Sequence, residues 1–379
     1  MQTSVSISTP LRVALLSLPW VLSCADGSVT RCTDSNSTCT LREASEEAGV
    51  FMGTTSEGAG WASTEIGTLV ETHFSSVTTQ NELKWSIASA PGVYDFERAD
   101  ETIDFAEQHG LRARGHTLFW HRLSGIPSWL GDELAAAADP EARLRELMQA
   151  HVRAVVGRYA GRIDTWDVVN EPLDVFSGNP APDSIFFQTF ERYEDFLDLS
   201  FQLARQEDPT AKLFLNEIFP SINEAKFEGL LALVRGMLER GTPIDGVGFQ
   251  GHFVVQLPDA EILRQRLQAF ADLGLLVEIT ELDVSINLVN DQPDPLAAQA
   301  EIYRGVAAAC LAVTACRGIT TWNVGDGLTW LDRDPLFAPL GPHRPTLFDE
   351  SLNPKPAYES VREAFVAALA RKAAQTFPR

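Results

Sequence analysis

Ile163-Asp164-Thr165-Trp166-Asp167-Val168-Val169-Asn170-Glu171 is a β-rich run that stops on an amide and an acid. One apolar strand ending this way is common. Here the pattern recurs: the candidate strand Arg112–Trp120 leads into His116–His121, and Lys212–Glu217 ends on Asn216 and Glu217. Gly246–His252 ends on Gln250 to His252, and Leu275–Val284 carries Glu281 and Asp283. Several strands stopping on polar groups at one rim are hard to attribute to chance.

Outward from these runs, further strand candidates are Phe51–Ser56, Phe74–Thr79 and Gly318–Val324. Amphipathic stretches alternate with the strands: Glu97–His109, Glu141–Ala160, Phe190–Gln206, Glu224–Arg240, Asp259–Leu273, Pro295–Ala315 and a terminal Lys355–Ala370. Strand–helix alternation implies right-handed βαβ units and a parallel sheet. Eight strands favour closure, so the expected fold is α/β, a single-domain (β/α)8 TIM barrel over residues 46–379. Such a barrel needs about 250 residues and tolerates insertions, which 379 residues accommodate. No Ser/Gly/Pro linker follows residue 330, and no solenoid repeat is visible, so a second domain is not expected.

The chain carries 52 acidic residues against 30 Lys and Arg, a formal charge of −22. Nucleic acid and anionic lipid are therefore disfavoured as partners, whereas a neutral polysaccharide is not repelled. Arg12 precedes the apolar run Val13 to Leu22, too short to span a bilayer at ~20 residues. The pattern reads as a secretory signal over residues 1–23, followed by a polar linker or tail over 24–45. Export to the extracellular medium is the expectation; lipid anchoring through Cys24 is the alternative and the one route to a membrane partner. No Cys-x-x-Cys pair occurs among the five cysteines, so no metal site is expected. The expected disulfide is Cys310–Cys316, with Cys32–Cys39 a plausible second and Cys24 left over.

In a barrel of this kind, active-site groups project from the carboxyl ends of the strands. Strands four and seven stand nearly opposite in an eight-stranded ring, which brings Glu171 and Glu281 face to face over the mouth. Cleaving a glycosidic bond needs an acid that protonates the leaving oxygen. It also needs a carboxylate that attacks the anomeric carbon or activates water there. Either glutamate alone could simply cap a strand or pair with an arginine; their neighbours favour chemistry. Residues two apart on a strand share a face, so Glu281 and Asp283 lie on one side, as do Gln250 and His252. His252 is expected to bridge Glu281 and Asp283, keeping Glu281 ionised and oriented as a nucleophile requires. Asn170 suits a sugar hydroxyl. Trp85, Trp120, Trp322 and Trp330 lie near strand ends, where indoles stack on sugar C–H faces or simply pack in the core. Stacking is favoured for Trp322 and Trp330, and less so for Trp120. Asn81 and Lys84 supply donors for a neighbouring sugar.

These segments together resemble the family 10 glycoside hydrolases, mostly endo-β-1,4-xylanases, over roughly residues 46–370. Asn81-Glu82-Leu83-Lys84-Trp85, Gly115 to His121, Trp166 to Pro172, Gly246 to His252, Ile279 to Asp283 and Gly318 to Trp322 occur in the family's order. The resemblance implies Glu171 as acid/base and Glu281 as nucleophile. It also implies Asn170, Gln250, His252 and Asp283 as their support, and Asn81, Lys84, His116, Trp120, Trp322 and Trp330 as sugar-binding residues. It further implies xylan as substrate and a Cys310–Cys316 bridge before the eighth strand; the two-carboxylate reaction requires no metal or organic cofactor, and no motif for one occurs. The chain departs from the family pattern at four places: Gln80 for Glu, Arg122-Leu123 for Ser-Gln, Ile218 for Tyr, and Asn323 for Gly. All surround sugar subsites and none removes a carboxylate. The expected reaction is a two-step displacement with retention, its carboxyl groups about 5–5.5 Å apart. Rival expectations are the same chemistry on another β-glucan, and a non-catalytic glycan-binding barrel. A monomer is expected.

Overall fold

A computed structural model describes Cys32 and residues 39–376; the leader and Cys24 lie outside the described residues. Eight parallel strands form the core: β1 Phe51–Thr55, β2 Ser76–Thr78, β3 Arg112–Trp120, β4 Thr165–Asn170, β5 Lys212–Glu217, β6 Gly246–Phe249, β7 Leu276–Val284 and β8 Cys316–Thr321. Each pairs with the next in chain order, and β8 returns to β1 with Phe51 opposite Gly318, so the sheet closes. The α/β barrel expected from the sequence is the fold observed.

Helices follow the strands and cover the outside of the ring. Their starts are written in side chains that satisfy the first, otherwise unpaired N–H groups of the helix. Asp139 accepts from Ala142, Asn223 from Lys226, Asp259 from Glu261 and Ile262, and Asp294 from Ala297. Pro140 and Pro295 occupy first-turn positions, where a missing N–H costs nothing. Large residues of one strand lean over a glycine of its neighbour. A Cβ on Gly115 would meet Trp166 at 2.3 Å, and one on Gly246 would meet Phe214 at the same distance.

Two expectations need correction. The polar tail placed over 24–45 runs too far, because Leu41–Ala48 is a helix. Thr40 and Glu43 cap it reciprocally, and Leu41 and Ala44 on its inner face are buried. The sixth strand also ends earlier than expected. It stops at Phe249, Gly251 takes φ 82°, and His252–Phe253 form a separate short pairing with Asp283 and Val284 of β7. Gln250 and His252 therefore do not share one strand face. Both cysteine pairs, Cys310–Cys316 and Cys32–Cys39, are disulfides.

Candidate active site

The carboxyl ends of the strands carry two linked sets of polar side chains, one around Glu281 and one around Glu171. Glu281 sits within β7, its backbone N–H donating to Gln250 O at 2.7 Å, and its side chain is buried. Oε1 accepts from Asn216 Nδ2 at 2.6 Å, and Oε2 lies 3.1 Å from His252 Nε2. The other ring nitrogen of His252 is 2.9 Å from Asp283 Oδ2, which also accepts from Trp330 Nε1 at 2.7 Å. The His252 bridge expected from strand alternation is thus formed, although a break after Gln250, not alternation, aims the imidazole.

An imidazole between two carboxylates holds its proton. Burial pushes His252 down, but hydrogen bonds to Asp283 and Glu281 outweigh it and carry the ring up to about 9. For Glu281, burial pushes upward, yet the His252 hydrogen bond and the charges of His116 and His252 win. The carboxyl is held below its ordinary range. Asp283 moves the other way, because burial dominates the bonds from His252 and Trp330.

Beneath this cluster lies a buried charge column. His116 Nδ1 is 2.9 Å from Asp167 Oδ2 and 3.9 Å from Glu281 Oε1. Asp167 pairs with Arg114, and Arg114 Nη1 reaches Glu278 Oε2 at 2.5 Å. Packed, oppositely charged neighbours leave His116 little freedom beside Glu281.

Glu171 directly follows β4, takes φ 53°, and is 8% exposed. Its Oε1 accepts from Gln250 Nε2 at 3.0 Å, while Oε2 stands 3.8 Å from Arg122 Nε. Asn170 Oδ1 accepts from Gln250 at 3.3 Å and from Asn216 Nδ2 at 2.8 Å. A chain of amides, Gln250–Asn170–Asn216, therefore joins the two carboxylates. Thr280 Oγ1 donates to Asn216 Oδ1 at 2.6 Å, which fixes which way that amide points. Sequence reasoning does not single out Asn216 or Asp167 as site residues; a strand-end amide and an alternating Asp are their only signals.

The remaining expected residues ring this pair. Trp322 is buried, edge-on to His116 at 5.2 Å and to His252 at 6.2 Å. Trp330 is half-buried and edge-on to His252 at 5.0 Å. Half-buried Trp120 has the Lys84 ammonium 4.8 Å from its ring centre. Lys84 Nζ donates to Asn81 Oδ1 at 2.7 Å, and Asn81 itself is exposed. Burial pushes the Lys84 amine down while the charges of Glu281, Glu171 and Glu82 oppose it. Lys84 thus feels both carboxylates. Trp85, by contrast, stacks on His151 at 4.7 Å and belongs to the core.

Among the departures, Leu123 is 91% exposed. Asn323 takes the left-handed φ of 86°, a conformation that asparagine tolerates better than most residues. Its amide donates to both oxygens of Glu57 at 3.2 Å and its Oδ1 accepts from Trp330 N at 3.3 Å. Burial raises Glu57 to about 7 against those hydrogen bonds. The substitution therefore ties the Trp330 loop to the segment that follows β1. Among the described residues no three His, Cys, Asp or Glu side chains are grouped as a metal site.

Residues 40–364 match the family described as glycosyl hydrolase family 10. This chain belongs to that family. It is 36% identical over 310 residues to a β-1,4-xylanase of Dictyoglomus thermophilum, covering 76% of this chain and 82% of that one. It is 32% identical to endo-1,4-β-xylanase B of Paenibacillus barcinonensis, covering 77% and 89%. Among solved structures, xylanase 10B of Thermotoga petrophila in complex with xylobiose matches with a TM-score of 0.80 and 28% identity. That match covers 88% of this chain and 99% of the other. A mutant xylanase 10C of Cellvibrio japonicus in complex with xylopentaose matches with the same score and identity, over 87% and 69%. Family membership makes the protein a glycoside hydrolase.

Proposed function

We propose that this family 10 enzyme is an endo-β-1,4-xylanase acting by double displacement with retention, Glu281 as nucleophile and Glu171 as acid/base. The observation that carries the reading is the pair of carboxyl groups at the ends of β4 and β7, joined by one amide chain. Two carboxyl groups flanking one sugar are the equipment that glycosidic cleavage needs.

In the first step Glu171 gives its proton to the glycosidic oxygen and the bond from the anomeric carbon to that oxygen breaks. A carboxylate oxygen of Glu281 forms a new bond to the same carbon. In the second step Glu171, now a carboxylate, takes a proton from water as the water oxygen replaces Glu281. Depression of Glu281 by its histidines keeps it anionic and ready to attack. Asn170, Gln250, His252 and Asp283 hold these groups in place, and His116, Asn81 and Lys84 meet sugar hydroxyls. Trp120, Trp322 and Trp330 offer ring faces or edges to the sugar. No step calls for a cofactor.

Xylan or a xylo-oligosaccharide is the partner in this reading, and the enzyme works as a secreted monomer. Two disulfides accord with an oxidising compartment. Initial rates on xylan, carboxymethylcellulose and mannan test the substrate. The reading expects xylan to be turned over fastest and Glu281→Ala to bind xylan without cleaving it. Preference for either glucan or mannan would overturn the substrate, and unchanged turnover by Glu281→Ala would overturn the chemistry.

A further inference from the structure

Glu171 occupies a backbone conformation that a non-glycine residue adopts at a cost of about 1–3 kcal/mol, so its surroundings must hold it there. Upstream, its own N–H donates to Asn216 O at 2.9 Å. Downstream, the turn is gripped at Leu173 by an ion pair. Leu173 N–H donates to Glu217 Oε2 at 3.1 Å, and Leu173 O accepts from Lys226 Nζ at 3.2 Å. Lys226 Nζ also donates to Glu217 Oε1 at 2.7 Å, and Ile218 N donates to the same oxygen at 2.8 Å. Both side chains are 0% exposed. Consecutive residues of β5, Asn216 and Glu217, thereby clamp the turn on either side of Glu171.

Burying two charges costs several kcal/mol per ion, and a well-packed apolar pair usually gives equal or greater stability. Stability alone therefore does not explain the pair. Two of its four hydrogen bonds grip the backbone of Leu173, two residues from Glu171. Lys226 comes from the first turn of helix Glu224–Glu239, whose cap Asn223 also donates to Phe176 O at 3.2 Å farther along the same loop. Burial raises the Glu217 carboxyl to about 7 against Lys226, with Glu171 adding to the rise, so the two carboxyl groups sense each other.

We infer that Glu217 and Lys226 are positioning residues for the general acid, holding the Glu171–Leu173 turn so that the Glu171 carboxyl meets the leaving oxygen. The inference rests on Glu171 being the acid/base. The pair touches no reacting atom and acts through the turn.

The test compares kcat/KM on xylotriose with kcat/KM on 2,4-dinitrophenyl xylobioside, whose leaving group departs without a proton. Wild type, Glu217→Gln, the apolar pair Glu217→Leu/Lys226→Met, and Glu171→Ala are measured alongside their melting temperatures. A misplaced acid costs about 100-fold on the unactivated sugar. The clamp variants should show that loss on xylotriose, little loss on the dinitrophenyl glycoside, and an apolar pair that melts near wild type. Equal losses on both substrates, or full xylotriose activity in either clamp variant, would overturn the positioning role. Glu217→Gln keeps the side chain's shape and supplies the comparison should the apolar pair not fold. Glu171→Ala separates the two readings. If it alone fails to show the leaving-group contrast, the acid assignment is wrong; if it shows the contrast and the clamp variants do not, the clamp is wrong.

Discussion

His252 carries the least replaceable contact of the Glu281 cluster, because each ring nitrogen meets a different carboxylate. An unfolded histidine titrates near 6.5, and here burial's downward push is overridden to about 9. The folded ring binds its proton more tightly, so its stabilisation is complete below pH 6.5 and is lost as pH rises through about 9. Thermal melts of His252→Asn should fall below wild type at pH 6 and converge on it above pH 9. A constant gap across that range would show that His252 acts by packing alone. Glu281 has the opposite sign: its depressed carboxyl stabilises above the ordinary carboxylate range and loses that contribution as pH falls through its own value. Both glutamates, His252 and Asp283 are legible in the sequence, since acids and amides at apolar strand ends stand out. That Gln250 turns to Glu171 while His252 turns to Glu281 is not. The division comes from the left-handed Gly251 between them, and a glycine has many reasons to be present.

Elements with a strong period are readable, and those defined by caps are not. β3 and β5 have the expected bounds, Arg112–Trp120 and Lys212–Glu217, and in β5 the apolar run Leu213–Leu215 ends on the polar Asn216 and Glu217. The first part of helix Leu41–Ala48, up to residue 45, reads as tail because Arg, Ser and three Glu outnumber the helix's apolar residues, and its anchor, Tyr358, lies 317 residues away. Its start is nonetheless written locally, in Thr40 Oγ1 accepting from Glu43 N at 3.2 Å and Glu43 Oε2 accepting from Thr40 N at 2.7 Å. Thr40→Ala should cost about 1 kcal/mol and lower the melting temperature by roughly 1–3 °C, with kcat unchanged. A calorimetric melt equal to wild type would mean that the cap is not formed.

Across the molecule, the barrel separates what stabilises from what reacts. Cys316 opens β8 at the end of the ring opposite the carboxylates, and the Cys310–Cys316 bridge joins residues only six apart in sequence. Loop-closure entropy for so short a loop is worth about 2 kcal/mol. Reduction should therefore lower the melting temperature while leaving kcat at 25 °C intact; a loss of kcat without unfolding would tie that face to the site. The closed ring is legible because eight strand candidates interleaved with seven amphipathic stretches leave few other topologies. Strands four and seven standing opposite predicts the pairing of the site, and the amide chain from Gln250 through Asn170 to Asn216 spans that gap. Proton NMR of xylotetraose hydrolysis, recorded before mutarotation, reads out whether the anomeric carbon is displaced once or twice. The first reducing end released should be the β-anomer, as Glu281 attacking and then leaving requires. The α-anomer appearing first would mean a single inverting displacement by water, with no glycosyl bond to Glu281.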